Sequence, residues 1–296
     1  MKTNKTSKMK FMTLAATLFA ILVLVSPFTL AQGGGMQGQS GGSTKGAVIK
    51  GKAPVNKNIL KVKLPRAQEA SLANGLRVVL LESHKVPTFT MQMVVLSGGL
   101  SDKPDFRGVA SFTATLLREG TVKRTSKDIA EQVDALGATL TSNSGFSNMT
   151  STVSTSGLVE NLDQTFDIFS DVVRNASFPE GEVEKYKTRI LAQLQLQRGI
   201  PQFLAGEQFS RAIYGDHPAS LIAPPLESIK KLTSKDLIEF HSTYYRPNNA
   251  ILAVVGDVTL KEIMPKIEKA FGDWQKADVP ATKIPAAPAP GPARIV

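Results

Sequence analysis

The chain has 296 residues, 42% of them hydrophobic and none of them cysteine, and its formal net charge is +10. This length and apolar fraction are sufficient for one folded domain of roughly 200 residues with a sizeable core. The lack of cysteine excludes a disulfide framework, a lipoprotein anchor and a C-x-x-C motif.

The excess positive charge is concentrated near the amino terminus. Four lysines lie within the first ten residues, and seven basic residues without any acid lie between positions 45 and 66, so the remainder of the chain is close to neutral. This distribution argues against nucleic acid as a partner of the folded domain. It predicts a solvated basic arm that makes at most a loose contact with an anionic membrane surface.

Residues 1–31 have the pattern of a secretory signal peptide. The lysine-rich start is followed by the uncharged apolar run "FMTLAATLFAILVLVSPFTLA". The small final residue predicts cleavage after Ala31 and a periplasmic or secreted protein. An uncleaved membrane anchor is the alternative, because the apolar run approaches the roughly 20 residues that cross a bilayer.

Three further segments are predicted after the leader. Residues 32–63, a Gly/Ser-rich stretch followed by the basic arm, are expected to be a flexible linker. The folded domain is predicted over residues 64–278. Residues 279–296 are rich in Pro and Ala, so we expect a second linker, which leads to a half-domain that these residues do not include.

Within the domain, periodicity and capping signals predict the element order ββααββαααα-β-α. The segment 74–99, with Pro87 in its connection, predicts a β-hairpin. Thr125 or Ser126 is expected to cap a helix that Gly137 ends. The remaining elements are predicted as a helix near 107–118, two strands split at Gly145, helices over 157–176, 179–198, 201–214, 232–245 and 259–274, and a strand over 249–258. This irregular interleaving favours an α+β fold with a mainly antiparallel sheet and helices on one face.

The three histidines, His84, His217 and His241, stand alone in the sequence. None has a second histidine at the i, i+4 spacing that brings two imidazoles to one metal on a helix. We interpret them as solvated or packing side chains.

Five segments between residues 70 and 275 together resemble the insulinase/pitrilysin family of zinc peptidases, which includes mitochondrial processing peptidase. They read "LANGLRVVLLESHKVPTFTMQMVVLSGG", "RGVASFTATLLREGT", "DALGATLTSNSGFSNMTST", "YGDHP" and "LTSKDLIEFHSTYYRPNNAILAVVGDV". The resemblance implies one metallohydrolase-like, processing-peptidase-like half-domain.

Active members of this family carry H-x-x-E-H on a helix, where two histidines bind zinc and the glutamate is the general base. The resemblance places Ser111, Ala114 and Thr115 at these positions. Hydroxyl oxygens are poor zinc ligands, and a methyl group cannot accept a proton. The two hydroxyls are expected to bond within the helix or to Gln193. A repurposed Ser111 nucleophile is the alternative.

The family's third zinc ligand is a glutamate on a later helix. Counting back from Pro201 places Gln193 there, and a one-residue shift would place Ala192 there instead. Neither residue is a carboxylate. The resemblance therefore implies a chain without zinc and without hydrolytic activity of its own.

The resemblance also implies a partner, because a zinc-less subunit commonly accompanies a zinc-bearing one in this family. The segment from Ala138 to Ser144 matches the family's peptide-binding edge strand, with Leu140, Thr141 and Ser142 among the expected contacts. We therefore expect a non-catalytic subunit of a periplasmic zinc-peptidase complex, with peptide as substrate and zinc in the partner. The alternatives are a free-standing peptide-binding or scaffold protein and an active zinc peptidase with unrecognised ligands.

Overall fold

One six-stranded sheet organises the fold in the computed structural model, which describes residues 66–286. The strands are β1 (Gln68–Ser71), β2 (Arg77–Glu82), β3 (Thr88–Val95), β4 (Thr139–Ser144), β5 (Ser151–Leu158) and β6 (Ala250–Gly256). Their order across the sheet is β1-β2-β6-β3-β5-β4. All neighbours are antiparallel except β2 and β6, which are parallel. The predicted α+β fold with a mainly antiparallel sheet is confirmed.

Eight α-helices accompany the sheet between residues 66 and 286. They are α1 (Val109–Leu116), α2 (Ser126–Ala135), α3 (Leu162–Asn175), α4 (Glu180–Arg198), α5 (Pro201–Tyr214), α6 (Leu226–Lys231), α7 (Ser234–Tyr244) and α8 (Leu260–Phe271). Thr125, Thr233 and Thr259 each begin a helix with a capping box, in which the hydroxyl and an acidic side chain satisfy two backbone donors. These caps fix the starts of α2, α7 and α8.

The predicted β-hairpin between β2 and β3 is wrong. β6 lies between these two strands, parallel to β2 and antiparallel to β3. The physical reason is burial, because the apolar strand β6 is covered by core on one face and by strands on both sides. The hairpin that does form joins β1 to β2, and the short strand β1 was missed by the sequence prediction.

The sheet buries one face, against which the helices pack. Along β3, Phe89 and Met91 are fully buried, whereas Thr90 and Gln92 between them are exposed. This period of two is the pattern of a sheet with one covered face. α1 packs closely against β4 and α3 against β5. The helix α1 is therefore held beside β4, one of the two edge strands of the sheet.

Several predictions fall on residues that the structure does not describe. The signal peptide, the linker over 32–63 and the end of the Pro/Ala-rich segment lie outside residues 66–286. Residues 279–286 form neither helix nor strand, and they bond to the domain through the Thr282 and Ser101 hydroxyls (2.7 Å) and through the Pro285 carbonyl and His217 (3.0 Å). None of the described helices has both the length and the apolar character that a membrane span requires.

Candidate functional site

The start of α1 is held by a buried carboxylate. Asp102 accepts hydrogen bonds from the backbone N–H groups of Gly108 (2.6 Å) and Ala110 (3.0 Å). Burial raises the pKa of Asp102 to about 7, although the two N–H donors act in the opposite direction. Gly108 itself has φ +102°, and a Cβ there would approach the Cβ of Pro224 to 3.0 Å. The orientation of α1 is therefore set before its first turn.

One face of α1 carries the three positions that the family resemblance assigns to metal and base. Ser111 and Thr115 are one helical turn apart and share this face, with Ala114 beside them. Ser111 is 9% exposed, Ala114 is fully buried and Thr115 is half-buried. The adjacent side of the helix, about 100° further round, contributes Phe112 and Leu116 to the core.

The hydrogen bonds expected at these hydroxyls are not formed. In the part of the chain that the structure describes, neither the Ser111 nor the Thr115 hydroxyl is among the hydrogen-bonded side chains, and neither is the Gln193 amide. These three side chains thus have no hydrogen-bond partner among residues 66–286, and Thr115 and Gln193 are at least partly exposed whereas Ser111 is nearly buried.

Gln193 is exposed on α4, the helix that reaches α1 through an aromatic contact. The Tyr186 ring packs edge-on against Phe112, with centroids 4.7 Å apart. Gln193 lies seven residues beyond Tyr186, which is two turns, or roughly 10 Å, along the same helical face. Ala192 is about 100° away from that face. The helical geometry thus favours Gln193 over Ala192 as the residue facing the side of α1.

Each histidine is engaged at a different place. His84 bonds to the Asp257 carboxylate (2.6 Å), His217 accepts from the Ala219 N–H (3.0 Å), and His241 donates to the Val173 carbonyl (2.9 Å). Within residues 66–286, no three His, Asp or Glu side chains come together as a metal site would require.

The residues at the family's zinc positions do not fit a zinc ion. Zinc in proteins is held by imidazole, thiolate or carboxylate. Ser111 and Thr115 provide neutral hydroxyls, Gln193 provides an amide and Ala114 provides only a methyl group. This surface can donate and accept hydrogen bonds, but its side chains include no general base for activating water.

β4 is an edge strand of the sheet. Among the described strands it pairs only with β5. The Thr139 carbonyl faces β5, because it accepts a bond from the Thr155 hydroxyl (2.7 Å). Since backbone groups alternate in direction along an antiparallel strand, those of Leu140 and Ser142 point away from β5. The edge predicted from the sequence is therefore open to an added strand.

Arg118 is a functional candidate that the sequence prediction missed. Its Nη1 donates to the carbonyl oxygen of Leu140 at 2.7 Å, so the guanidinium lies at the open edge of β4. Its Nε is buried without an acceptor, as is the hydroxyl of Ser142. Arg118 belongs to the 3-10 turn Leu117–Glu119 that follows α1, and its place three residues after Thr115 in the sequence could have shown that it lies near the ligand positions. The polar face of α1 and the β4 edge therefore meet at this arginine.

Two family models match the chain. The model described as insulinase (peptidase family M16) matches residues 77–223, and the model described as peptidase M16 inactive domain matches residues 231–296. Together they cover nearly all of the described sheet and helices.

The chain is also similar to individual curated relatives and to solved structures. The mitochondrial-processing peptidase subunit beta of Rattus norvegicus is 27% identical over 226 residues, which are 74% of this chain and 45% of the relative. An uncharacterized zinc protease of Mycobacterium leprae is 28% identical over 204 residues, 68% of this chain and 45% of the relative. The chain thus spans about half the length of these relatives.

Among solved structures, a peptidase M16 inactive domain from Pseudomonas fluorescens superposes with a TM-score of 0.69 at 25% identity, covering 75% of this chain and 54% of that chain. The periplasmic protease PqqL from Escherichia coli superposes with a TM-score of 0.68 at 19% identity, covering 77% of this chain and 26% of that chain. The second similarity is one of fold.

Proposed function

Because the chain belongs to the insulinase family of peptidases (peptidase family M16), we propose that it is a non-catalytic subunit of a periplasmic zinc-peptidase complex. It completes the peptide-binding chamber of a partner subunit that carries the zinc. Export rests on the signal-peptide pattern of residues 1–31. The location of zinc in the partner rests on the neutral side chains at the family's ligand positions.

The observation that carries this proposal is the contact between α1 and β4. The face with the neutral Ser111 and Thr115 belongs to the helix that packs on the open edge strand. Binding of an extended peptide uses the main-chain N–H and C=O groups of β4, which do not depend on a metal. Hydrolysis requires a general base that activates water, and the methyl group of Ala114 cannot accept a proton. The arrangement favours binding without cleavage.

The descriptions of two similar proteins support the existence of a partner but do not identify it. The rat relative is described as a subunit, and the Pseudomonas fluorescens structure as an inactive domain. An open sheet edge beside a helix with neutral side chains at the ligand positions is suited to completing a chamber whose zinc comes from a second protein.

Co-expression tests the proposal. The chain is tagged and produced with the product of a neighbouring gene that encodes an intact H-x-x-E-H motif. We expect the two proteins to co-purify, and we expect peptide cleavage by the pair that a chelator abolishes. The matched control replaces the glutamate of the partner's motif with glutamine, which should remove cleavage and leave assembly intact.

Two outcomes would contradict the proposal. A chain that binds peptide but forms no complex with a zinc-bearing partner would indicate the free-standing peptide-binding protein. Chelator-sensitive cleavage by the isolated chain would indicate an active peptidase with other ligands, and near-stoichiometric zinc in the purified chain would support that reading.

A further inference from the structure

We infer that Arg118 makes the β4 edge selective for extended peptides that carry a carboxylate near Leu140. This selectivity rests on the proposed binding of peptide at β4. It adds a chemical class of substrate to that function, namely acidic extended segments.

Arg118 lies at the open edge of β4. Its Nη1 bonds to the Leu140 carbonyl oxygen at 2.7 Å, and that oxygen points to the side of β4 where an added strand would lie. A carbonyl oxygen has two lone pairs, so it accepts from Arg118 and from an incoming peptide N–H together. The guanidinium therefore lies at the binding edge and still allows the Leu140 carbonyl to pair with a peptide.

Arg118 has unmet hydrogen-bonding capacity. Its Nε is buried and has no acceptor. Among residues 66–286, no carboxylate forms a salt bridge with Arg118. The adjacent Glu119 instead accepts a bond from the Ser126 hydroxyl at 2.6 Å. The cation at this edge thus lacks an internal counter-charge.

A guanidinium with free donors favours a carboxylate as its ligand. A buried donor without a partner costs free energy, and an entering acceptor removes that cost. A carboxylate does this best, because it accepts two parallel N–H bonds from one guanidinium. Lysine has a single ammonium group and cannot reproduce this fork. A neutral peptide would pair with the β4 backbone and leave the Arg118 Nε unsatisfied.

The carboxylate can come from an acidic side chain or from a peptide's carboxyl terminus, and three probes distinguish these sources. The first is a short, end-capped peptide of Thr, Val and one central Gln. The second replaces that Gln with Glu, and the third keeps Gln but has a free carboxyl terminus. Affinities for the 296-residue chain are measured by calorimetry at low and high salt.

We expect one of the two acidic probes to bind about tenfold more tightly than the neutral one at low salt, with the advantage shrinking as salt is added. Arg118→Met should reduce the advantage to within about twofold, and Arg118→Lys should restore only part of it. The matched control is Arg211→Met, which removes one positive charge from an exposed position on α5 and should leave the advantage unchanged.

A second variant separates this inference from the proposed function. The N–H of Ser142 points away from β5, so Ser142→Pro blocks the open edge without removing a bond to β5. It should weaken all three probes. Equal affinities in the wild type, or an advantage that survives Arg118→Met, overturn the role of Arg118 and leave peptide binding standing. Binding that Ser142→Pro does not affect, or no binding at all, overturns both.

Discussion

The guanidinium of Arg118 donates a 2.7 Å hydrogen bond to the carbonyl oxygen of Leu140, 22 residues further along the chain. This bond connects the end of the α1 region to the outer edge of β4. Ser111 and Thr115 lie about two turns and one turn before Arg118, which belongs to the 3-10 turn after α1 (Leu117–Glu119), so the family's metal-ligand positions adjoin the surface at the open strand. In this chain that surface contains a permanent cation and no ionisable side chain at the ligand positions.

Restoring the family's ligands should create a zinc site. Ser111→His, Thr115→His and Gln193→Glu together supply two imidazoles and a carboxylate, a ligand set that catalytic zinc sites use. We expect the triple variant to bind about one equivalent of zinc, measured by metal analysis after dialysis, whereas the unmodified chain should retain far less.

The control for this prediction moves the carboxylate by one residue. A variant with Ala192→Glu in place of Gln193→Glu turns the side chain about 100° around α4 and should bind zinc much more weakly. Tighter zinc binding by the Ala192 variant would show that the alignment of α4 is shifted by one residue.

The pair formed by Arg124 and Asp171 should be a strong contributor to stability. Asp171 is 4% exposed and accepts bonds from Arg124 (2.6 Å) and Thr121 (2.8 Å). Burial opposes ionisation, but hydrogen bonds to the carboxylate keep the pKa of Asp171 below its usual range. Arg124→Met leaves this charge buried without its cation and should lower the free energy of unfolding by about 3 kcal/mol.

Denaturant unfolding at neutral pH measures the loss at Arg124. The comparison variant is Lys127→Met, which removes an exposed i, i+4 pair with Glu131 (3.6 Å) and should cost no more than about 0.5 kcal/mol. Similar losses for the two variants would contradict the prediction.

His241 should make the protein sensitive to mild acid. The apolar surroundings of its ring lower the pKa of His241 to about 4, and its Nε2 donates to the Val173 carbonyl (2.9 Å). In the unfolded chain the pKa is near its ordinary value of about 6.5. The stabilising effect of neutral His241 is therefore complete above about pH 6.5. It is lost progressively as the pH falls from there through about 4, because the unfolded chain binds the proton first.

The size of this acid effect should be about 2 kcal/mol, since the half-buried ring keeps some contact with water. Unfolding free energies at a series of pH values measure it. His241→Phe should flatten the acid side of the curve, whereas His84→Gln, at an exposed loop position, should leave it in place. An unchanged acid slope in His241→Phe would rule out this histidine as the cause.

Gly256 should be intolerant of any side chain. It ends β6 with φ +148°, and a Cβ there would lie 2.2 Å from the Thr88 carbonyl oxygen on β3. Gly256→Ala should therefore destabilise the chain by more than about 2 kcal/mol in thermal or denaturant unfolding.

Gly181 provides the matched control for that substitution. It lies in the first turn of α4, and a Cβ there would meet nothing within 4 Å. Gly181→Ala should stabilise the protein by about 0.5 to 1 kcal/mol, because alanine loses less backbone entropy in a helix. A harmless Gly256→Ala would show that β6 and β3 can separate at this end.

Local signals in the sequence were sufficient for most helices and for the strands flanking Gly145. Thr125, Thr233 and Thr259 cap helices through bonds to side chains three residues away, and such contacts depend only on neighbouring residues. Pro201 likewise begins α5, since its missing N–H is not needed in a first turn. The strand pairing was not accessible in this way, because β6 is separated from β2 and β3 by more than 150 residues of chain.

Residue types and their spacing are sufficient to predict the α+β class, the family and the neutral side chains at positions 111, 114, 115 and 193. Three features required the folded structure: β6 separates β2 from β3, β4 has an open edge, and Arg118 reaches the Leu140 carbonyl. These relationships depend on which distant segments share the buried face of one sheet, and that is decided by the packing of the whole core rather than by local pattern.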